Sequence, residues 1–233
     1  MLFRSVLYTA YANTLIGQVC PGSPVIDTVI VNPIPDVVAT PPIDTICSGA
    51  TTAIQLRSFV NRVIFRWTVS APAGITGASN GTGSQILQLL NNSTTAPLTV
   101  TYTVTPEFTF RNVPCYGSPI TVTVTVMPKA RLSGIKQFTI CTDNLFTYTA
   151  SSATAGVTYS WVRPVVAGIS NPQGTGNSGV ISETLFNITQ APILVRYIFT
   201  IVKRGCPNND TVLLTVNPNA KALYKDRKST RLN

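Results

Sequence analysis

FRWTVSAPAGITGASNGTG, Phe65 to Gly83, returns further along the chain as YSWVRPVVAGISNPQGTG, Tyr159 to Gly176. Trp67 answers to Trp161, Ala73-Gly74-Ile75 to Ala167-Gly168-Ile169, and Gly81-Thr82-Gly83 to Gly174-Thr175-Gly176. Self-similarity of this length makes the chain an array of one repeated unit of about ninety residues.

Working outward, each copy opens on Ile-Cys (Ile46-Cys47, Ile140-Cys141) and reaches its tryptophan after the same interval. An Asn/Thr-rich bend and Ala-Pro (Ala96-Pro97, Ala191-Pro192) lead into a strand carrying Tyr102 or Tyr197. A second cysteine follows, Cys115 or Cys206, and a Thr/Val strand closes the unit at Pro128 or Pro218. The copies span 36–128 and 129–220. Residues 1–35 read as the tail of a truncated first repeat, with Tyr8 standing for Tyr102 and Cys20 for Cys115; on that reading Met1 need not be the biological start. Residues 221–233 form a tail, of which 226–233 (DRKSTRLN) reads as a translated sequencing adapter.

The periodicity is that of strands. Ile120 to Val126 alternates Ile/Val with Thr, Leu98 to Val104 sets Val100, Tyr102 and Val104 on one face, and Trp67 shares a face with Phe65 and Val69. Such segments are half-buried strands of antiparallel sheets. The glycine-rich runs Gly77–Gly83 and Asn171–Gly179 read as turns. No sustained helical period occurs, so the expected class is all-β: tandem immunoglobulin-like antiparallel β-sandwiches with almost no helix, the core anchored by Trp67, Trp161, Tyr102 and Tyr197. The proline-rich Asn32–Ile43 reads as an extended connection between copies.

Charged residues make up only 11 % of the chain against 44 % hydrophobic, a composition suited to an extracellular β protein. Net charge is +9, but the basic residues are scattered singly, which argues against a nucleic-acid surface. No apolar run is long enough for a helical membrane span. Five cysteines are an odd number, and the repeat suggests its own arithmetic. Cys47 is expected to pair with Cys115 and Cys141 with Cys206, leaving Cys20 unpaired by truncation. Each bond would add roughly 4 kcal/mol on the chain-entropy model and would place the chain in an oxidising compartment.

The chemistry points away from catalysis. The chain has no histidine, so a Ser-His or Cys-His nucleophile pair cannot be built. With no CxxC pair either, no metal site is expected, and no cofactor or catalytic residue is assigned. Its carboxylates are spread one or two per unit, without the repeated facing pair that glycoside hydrolysis needs. Asn-x-Ser/Thr triplets at Asn80, Asn91, Asn92, Asn187 and Asn209 are attributed to an Asn/Thr-rich composition. One connection, Glu107 to Gly117, offers a candidate ligand loop in Phe108, Phe110, Arg111 and Tyr116. Aromatics beside an arginine make good anchors, although packing against a neighbouring unit is the preferred reading for Phe108 and Phe110.

ICSG at Ile46–Gly49, WTVSAPAGITGASNGTG, APLTVTYTVTP and SPITVTVTVMP together resemble the PKD-like or immunoglobulin-like repeats of large secreted bacterial surface proteins, especially those of gliding bacteria with a type IX secretion system. The WDFGDG-type motif of better-known PKD domains is absent, so the resemblance is to a divergent branch. It implies a non-catalytic extracellular module at the bacterial cell surface, a spacer or stalk in an adhesin or gliding-associated protein. Its partners would be neighbouring repeats of the same chain, with an extracellular glycan or surface protein as candidate ligand. The alternative is a glycan- or protein-binding accessory module of a secreted protein or enzyme. It also makes the Asp-Thr-apolar triplets at Asp27, Asp44 and Asp210 candidate O-glycosylation acceptors, against the simpler reading of an aspartate capping the next amide.

Overall fold

A computed structural model describes residues 4–11 and 23–219; Cys20 and the 221–233 tail lie outside the described residues. No helix occurs among them, and the architecture is that of tandem immunoglobulin-like β-sandwiches. The chain divides into two compact units between Met127 and Pro128.

The first unit runs β1 Arg4–Ala10, β2 Val25–Val31, β3 Val38–Thr40, β4 Ile43–Cys47, β5 Ala50–Thr51, β6 Ile54–Arg57, β7 Ile64–Ser70, β8 Ile75–Thr76, β9 Gly81–Thr82, β10 Gln85–Ile86, β11 Leu89–Asn92, β12 Leu98–Phe110, β13 Val113–Tyr116 and β14 Ile120–Met127. The second runs β15 Gln137–Cys141, β16 Leu145–Thr149, β17 Thr158–Arg163, β18 Gly174–Gly176, β19 Val180–Thr184, β20 Ile193–Lys203 and β21 Cys206–Asn217. One sheet has the same plan in both: β4-β14-β12-β7-β9 in the first, β15-β21-β20-β17-β18 in the second. In each, the Ile-Cys strand lies parallel to the last strand, and the other pairings are antiparallel. Opposite it stand β3-β6-β10 in the first unit and β16-β19 in the second.

Alternation decides which side chains meet between the sheets, since successive strand residues point to opposite faces. Val100, Tyr102 and Val104 of β12 and Val122, Val124 and Val126 of β14 are buried with Trp67, Ile54, Leu56 and Ile86. The second core repeats this with Val195, Tyr197, Phe199, Val212, Leu214 and Trp161. It is the more aromatic of the two: Trp161 meets Tyr197 edge-on at 5.5 Å, and Phe138 meets Phe146 and Tyr148 at 5.4 and 5.6 Å. Asn32–Ile43 is not merely a connection, because β3 lies inside it and Val37 and Ala39 enter the first core. Ala130 and Leu132 likewise belong to the second core.

β1 and β2 pair with Tyr8 opposite Asp27, the register that sets Tyr102 opposite Val122 in the complete copy. Val6, Tyr8, Val29 and Val31 are exposed on this ribbon, whereas their repeat equivalents Val100, Tyr102, Val124 and Val126 are buried.

The opening stretch owes its repetition to one contact. Trp67 lies directly across from Gly81, and Trp161 from Gly176. A Cβ on Gly81 would stand 2.5 Å from Trp67 Cζ2, and one on Gly176 2.5 Å from Trp161 Nε1. The glycine runs thus include edge strands β9 and β18, not turns alone, and glycine is there because the indole occupies the side-chain volume. The ring-facing glycine is the first of the triplet in one copy and the last in the other.

A second repeated device was hidden in composition. Asn92 Nδ2 donates to Ala96 O and Val126 O, and its Oδ1 accepts from Thr94 N and Oγ1. Asn187 does the same with Ala191, Val216 and Thr189. The Asn92 amide is held by Ser48 Oγ and that of Asn187 by Thr142 Oγ1. Each buried asparagine is therefore fully satisfied while tying the Ala-Pro bend to the last strand. Asn187→Ala removes the side-chain donor to the Val216 carbonyl and leaves Ala191 O with Thr189 Oγ1 alone, and it is expected to cost about 2–3 kcal/mol, read as a fall in thermal midpoint; the exposed Asn209→Ala is the control.

Candidate functional site

The candidate loop is a hairpin extension of the main sheet. β12 continues through Pro106 and pairs with β13 as Glu107↔Tyr116, Phe108↔Cys115, Thr109↔Pro114 and Phe110↔Val113. Its two-residue turn, Arg111-Asn112, has both φ values positive (48° and 63°), the conformation that matches strand twist in a tight hairpin. The second copy closes the same way on Arg204-Gly205 (45° and 79°), but two residues earlier on the first strand and three on the second.

This geometry separates the four candidate residues. Phe108 is 2 % exposed and cannot anchor a ligand in this state; alternation turns it inward. Phe110 is half-buried with the Arg111 guanidinium 5.5 Å from its ring centroid, and Tyr116 is 60 % exposed. Phe110, Arg111 and Val113 line a shallow groove with Thr28, Ile30 and Asn32. At the hairpin base Arg66 Nε meets Glu107 Oε2 at 2.5 Å, and this hydrogen bond holds the Glu107 carboxyl below the ordinary carboxylate range.

Buried polar chemistry is concentrated beneath the tyrosines, where the copies differ. In the first, Tyr102 Oη donates to Gln88 Oε1 at 2.8 Å, and burial pushes its pKa up to about 12. In the second, Tyr197 Oη donates to Glu183 Oε2 at 2.7 Å, and burial, then the carboxylate, raise the phenol further. The Arg163 side chain is 2 % exposed. Its Nε donates to Glu183 Oε2 at 2.8 Å and its Nη2 to Pro172 O at 2.6 Å. The group is a hydrogen-bonded ion pair inside a sandwich wall that ties β17 to β19.

Asp44 and Asp210 lie in strands, and each accepts from the amide of the following threonine, at 2.7 and 2.9 Å. Asp210 also accepts from Leu132 N at 3.0 Å and from Lys136 Nζ at 3.1 Å through both oxygens. Burial raises its pKa, but Lys136 and the two amides outweigh this and leave it lowered. A depressed folded pKa contributes stability that is present above the unfolded value, near 4, and lost as pH falls through the folded one. The deficit of Asp210→Asn is therefore expected to be about 1 kcal/mol at pH 7 and to shrink as acid protonates the folded carboxylate, as a series of denaturation curves from neutral to acid pH reads directly.

The expected cysteine pairs are not formed. Cys115 and Cys141 are free thiols, while Cys47 and Cys206 are each disulfide-bonded. Register gives the reason. Cys141 lies opposite Asn217 at the end of β21, whereas Cys206 begins that strand. Eleven residues at about 3.3 Å each set them roughly 35 Å apart, against the 7 Å limit for a disulfide. Cys47 lies opposite Met127, and Cys115 opposite Phe108 at the far end of β12. Among the described residues no cluster of three His, Cys, Asp or Glu is placed to hold a metal, and no helix is long and apolar enough to cross a membrane.

No curated protein matches the chain. Among solved structures, immunoglobulin domains IG1 and IG2 of DIP-gamma align over 81 % of this chain and 99 % of theirs, at 8 % identity and a TM-score of 0.35. The three N-terminal domains of the highly immunogenic outer capsid protein of bacteriophage RB49 align over 92 % of this chain and 89 % of theirs, at 9 % and 0.42. The fibronectin(III)-like modules of CbhA from Clostridium thermocellum align over 78 % and 95 %, at 8 % and 0.25. Residues 44–130 match the family model of the PKD-like domain.

Proposed function

We propose that the chain is a stretch of extracellular stalk, a spacer in a bacterial cell-surface adhesin or gliding-associated protein, whose work is mechanical. The observation that supports this reading is what the two copies share. The Trp–Gly contact, the fully bonded asparagine, the buried tyrosine and the parallel Ile-Cys strand recur in both, whereas the hairpin tips differ in length and side chains. The repeated features hold a unit together, and the hairpin turns that differ, Arg111-Asn112 and Arg204-Gly205, are exposed. Stretching the chain by single-molecule force spectroscopy is expected to give two unfolding events of similar contour length. Continuous yielding without discrete events would overturn the reading.

A second reading is favoured by the groove beside Phe110 and Arg111: a glycan-binding module acting through the first hairpin alone. A glycan array with the wild-type chain and the Phe110→Ala/Arg111→Ala variant tests it. Binding lost in the variant supports this reading; no wild-type binding, or binding unchanged by the substitutions, removes it.

A further inference from the structure

We propose that the β1-β2 ribbon is the back half of a sandwich and takes up, in trans, the front half of a repeat: a polypeptide with the strand pattern of residues 36–97. The complete first copy shows what such a ribbon carries. There β12 and β14 pair as β1 and β2 do, with Tyr102 opposite Val122 as Tyr8 is opposite Asp27. The inner face of that pair is sealed, Val100, Tyr102, Val124 and Val126 each being 0 % exposed. It packs in one core with Ile54, Leu56 and Ile86 of the front half. On the ribbon the same face is bare, from 41 % exposed at Val6 to 59 % at Tyr8, with Val29 and Val31 between them. Both outer edges are open as well, since β1 and β2 form a sheet of two strands among the described residues. In the complete copy those edges are taken, β12 by the tryptophan strand β7 and β14 by the Ile-Cys strand β4.

The ribbon is held by its other face. Strand alternation puts Thr28, Ile30 and Asn32 there, and these share a groove with Phe110, Arg111 and Val113. The valine and tyrosine face is thus left outward, and contiguous exposed apolar surface marks an interaction site. Two open backbone edges add a demand for strands, one antiparallel beside β1 and one parallel beside β2 by the pattern of the complete copy. A front half supplies the covering apolar sheet and both edge strands at once. The two front halves in this chain are engaged with their own back halves, so the occupant is a further one. One residue departs from the pattern: Asp27 stands where Val122 is buried. Burying an unpaired carboxylate opposes docking, so Asp27 loosens the uptake that the rest of the face favours. This inference is independent of whether the array is a stalk or a binding module.

The test titrates the full chain into a dye-labelled synthetic polypeptide of residues 36–97 carrying Cys47→Ser, with fluorescence anisotropy as the readout. Saturable one-to-one uptake is expected. Val29→Glu, on the bare face, is expected to weaken it at least about tenfold. Leu7→Glu puts the same charge on the opposite face of the ribbon and is expected to leave it within about twofold. Asp27→Val, which restores the residue type of the complete copy, is expected to tighten it at least about threefold; a gain of binding cannot come from a misfolded variant. Hydrogen exchange of the wild-type chain is expected to slow across 4–10 and 25–31 when the polypeptide is added. No uptake, uptake equal in wild type and Val29→Glu, uptake weakened by Asp27→Val, or uptake without slowed exchange in those two segments would each overturn the proposal. So would a chain that dimerises through the ribbon and leaves the polypeptide free, since the occupant would then be a second copy of the same face.

Discussion

Glu183→Ala is expected to destabilise the second unit by about 3–5 kcal/mol, the range seen when one partner of a buried ion pair is removed. The magnitude follows from what remains. The Arg163 side chain, 2 % exposed, keeps its charge and loses its carboxylate at 2.8 Å, while Tyr197 Oη loses its acceptor at 2.7 Å. Among the described residues no other acidic side chain bonds to either group, and the Pro172 carbonyl satisfies only Nη2. A neutral glutamine at 183 keeps the acceptor for Tyr197 but not the countercharge, so Glu183→Gln is expected to fall between wild type and Glu183→Ala. The first copy supplies the compensated version, with Val69 and Gln88 at the positions of Arg163 and Glu183 and Tyr102 bonded to Gln88. The double variant Arg163→Val/Glu183→Gln is therefore expected to recover most of the loss. Urea denaturation of the full chain, with a double-mutant cycle, measures this. A double variant as unstable as Glu183→Ala would show that the ion pair is not the source of the effect.

That pairing also shows how far the chain could be read without coordinates. Alternation was legible wherever one strand face meets the core, and so Val122, Val124 and Val126 stood out from their threonines. Duplication did the rest for Trp67, Trp161, Tyr102 and Tyr197, because a residue kept at the same place in both copies has a structural task. The asparagines carried the same signal and were passed over: N-x-T-x-A-P occurs at Asn92 and again at Asn187, a match more telling than any single triplet. Phe108 was read as part of a connection, with packing preferred over ligand binding, because the strand alternation was followed only from Leu98 to Val104. A proline tolerates an edge or a strand end more readily than a strand interior, yet here β12 continues through Pro106 and pairs on to Phe110. The cysteines failed for a different reason. Sequence interval measures distance along the chain, whereas pairing depends on position along the sheet, and two strands of more than ten residues separate the cysteines by the whole length of the sandwich. Arg163 was not legible at all, since an arginine in an alternating strand reads as solvent-facing until its carboxylate partner on another strand is known.

Replacing the tryptophans is expected to have an effect as large as removing Glu183. Trp67→Ala and Trp161→Ala should each cost about 3–5 kcal/mol, the range for truncating a large buried aromatic. An ordinary domain is stable by only about 5–15 kcal/mol, so each variant should melt at least about 12 °C lower. The loss is not burial alone. Each indole Nε1–H donates to a carbonyl, Ser79 O at 3.2 Å and Val180 O at 3.0 Å, and each ring fills the space above a glycine that has no side chain of its own. Coupling between ring and glycine distinguishes this from a generic cavity effect. In the wild-type background Gly176→Ala forces a methyl to within 2.5 Å of Trp161 Nε1 and should destabilise by at least the 1–3 kcal/mol typical of overpacking. In the Trp161→Ala background the same methyl enters the vacated space, so its cost should fall to near zero. A coupling energy of about 1–3 kcal/mol is therefore expected from the four-way cycle. Strict additivity would mean that glycine is required at 176 for its backbone and not for the ring across from it. The same cycle on Trp67 and Gly81 repeats the measurement in the other unit, where the ring-facing glycine is the first of its triplet instead of the last.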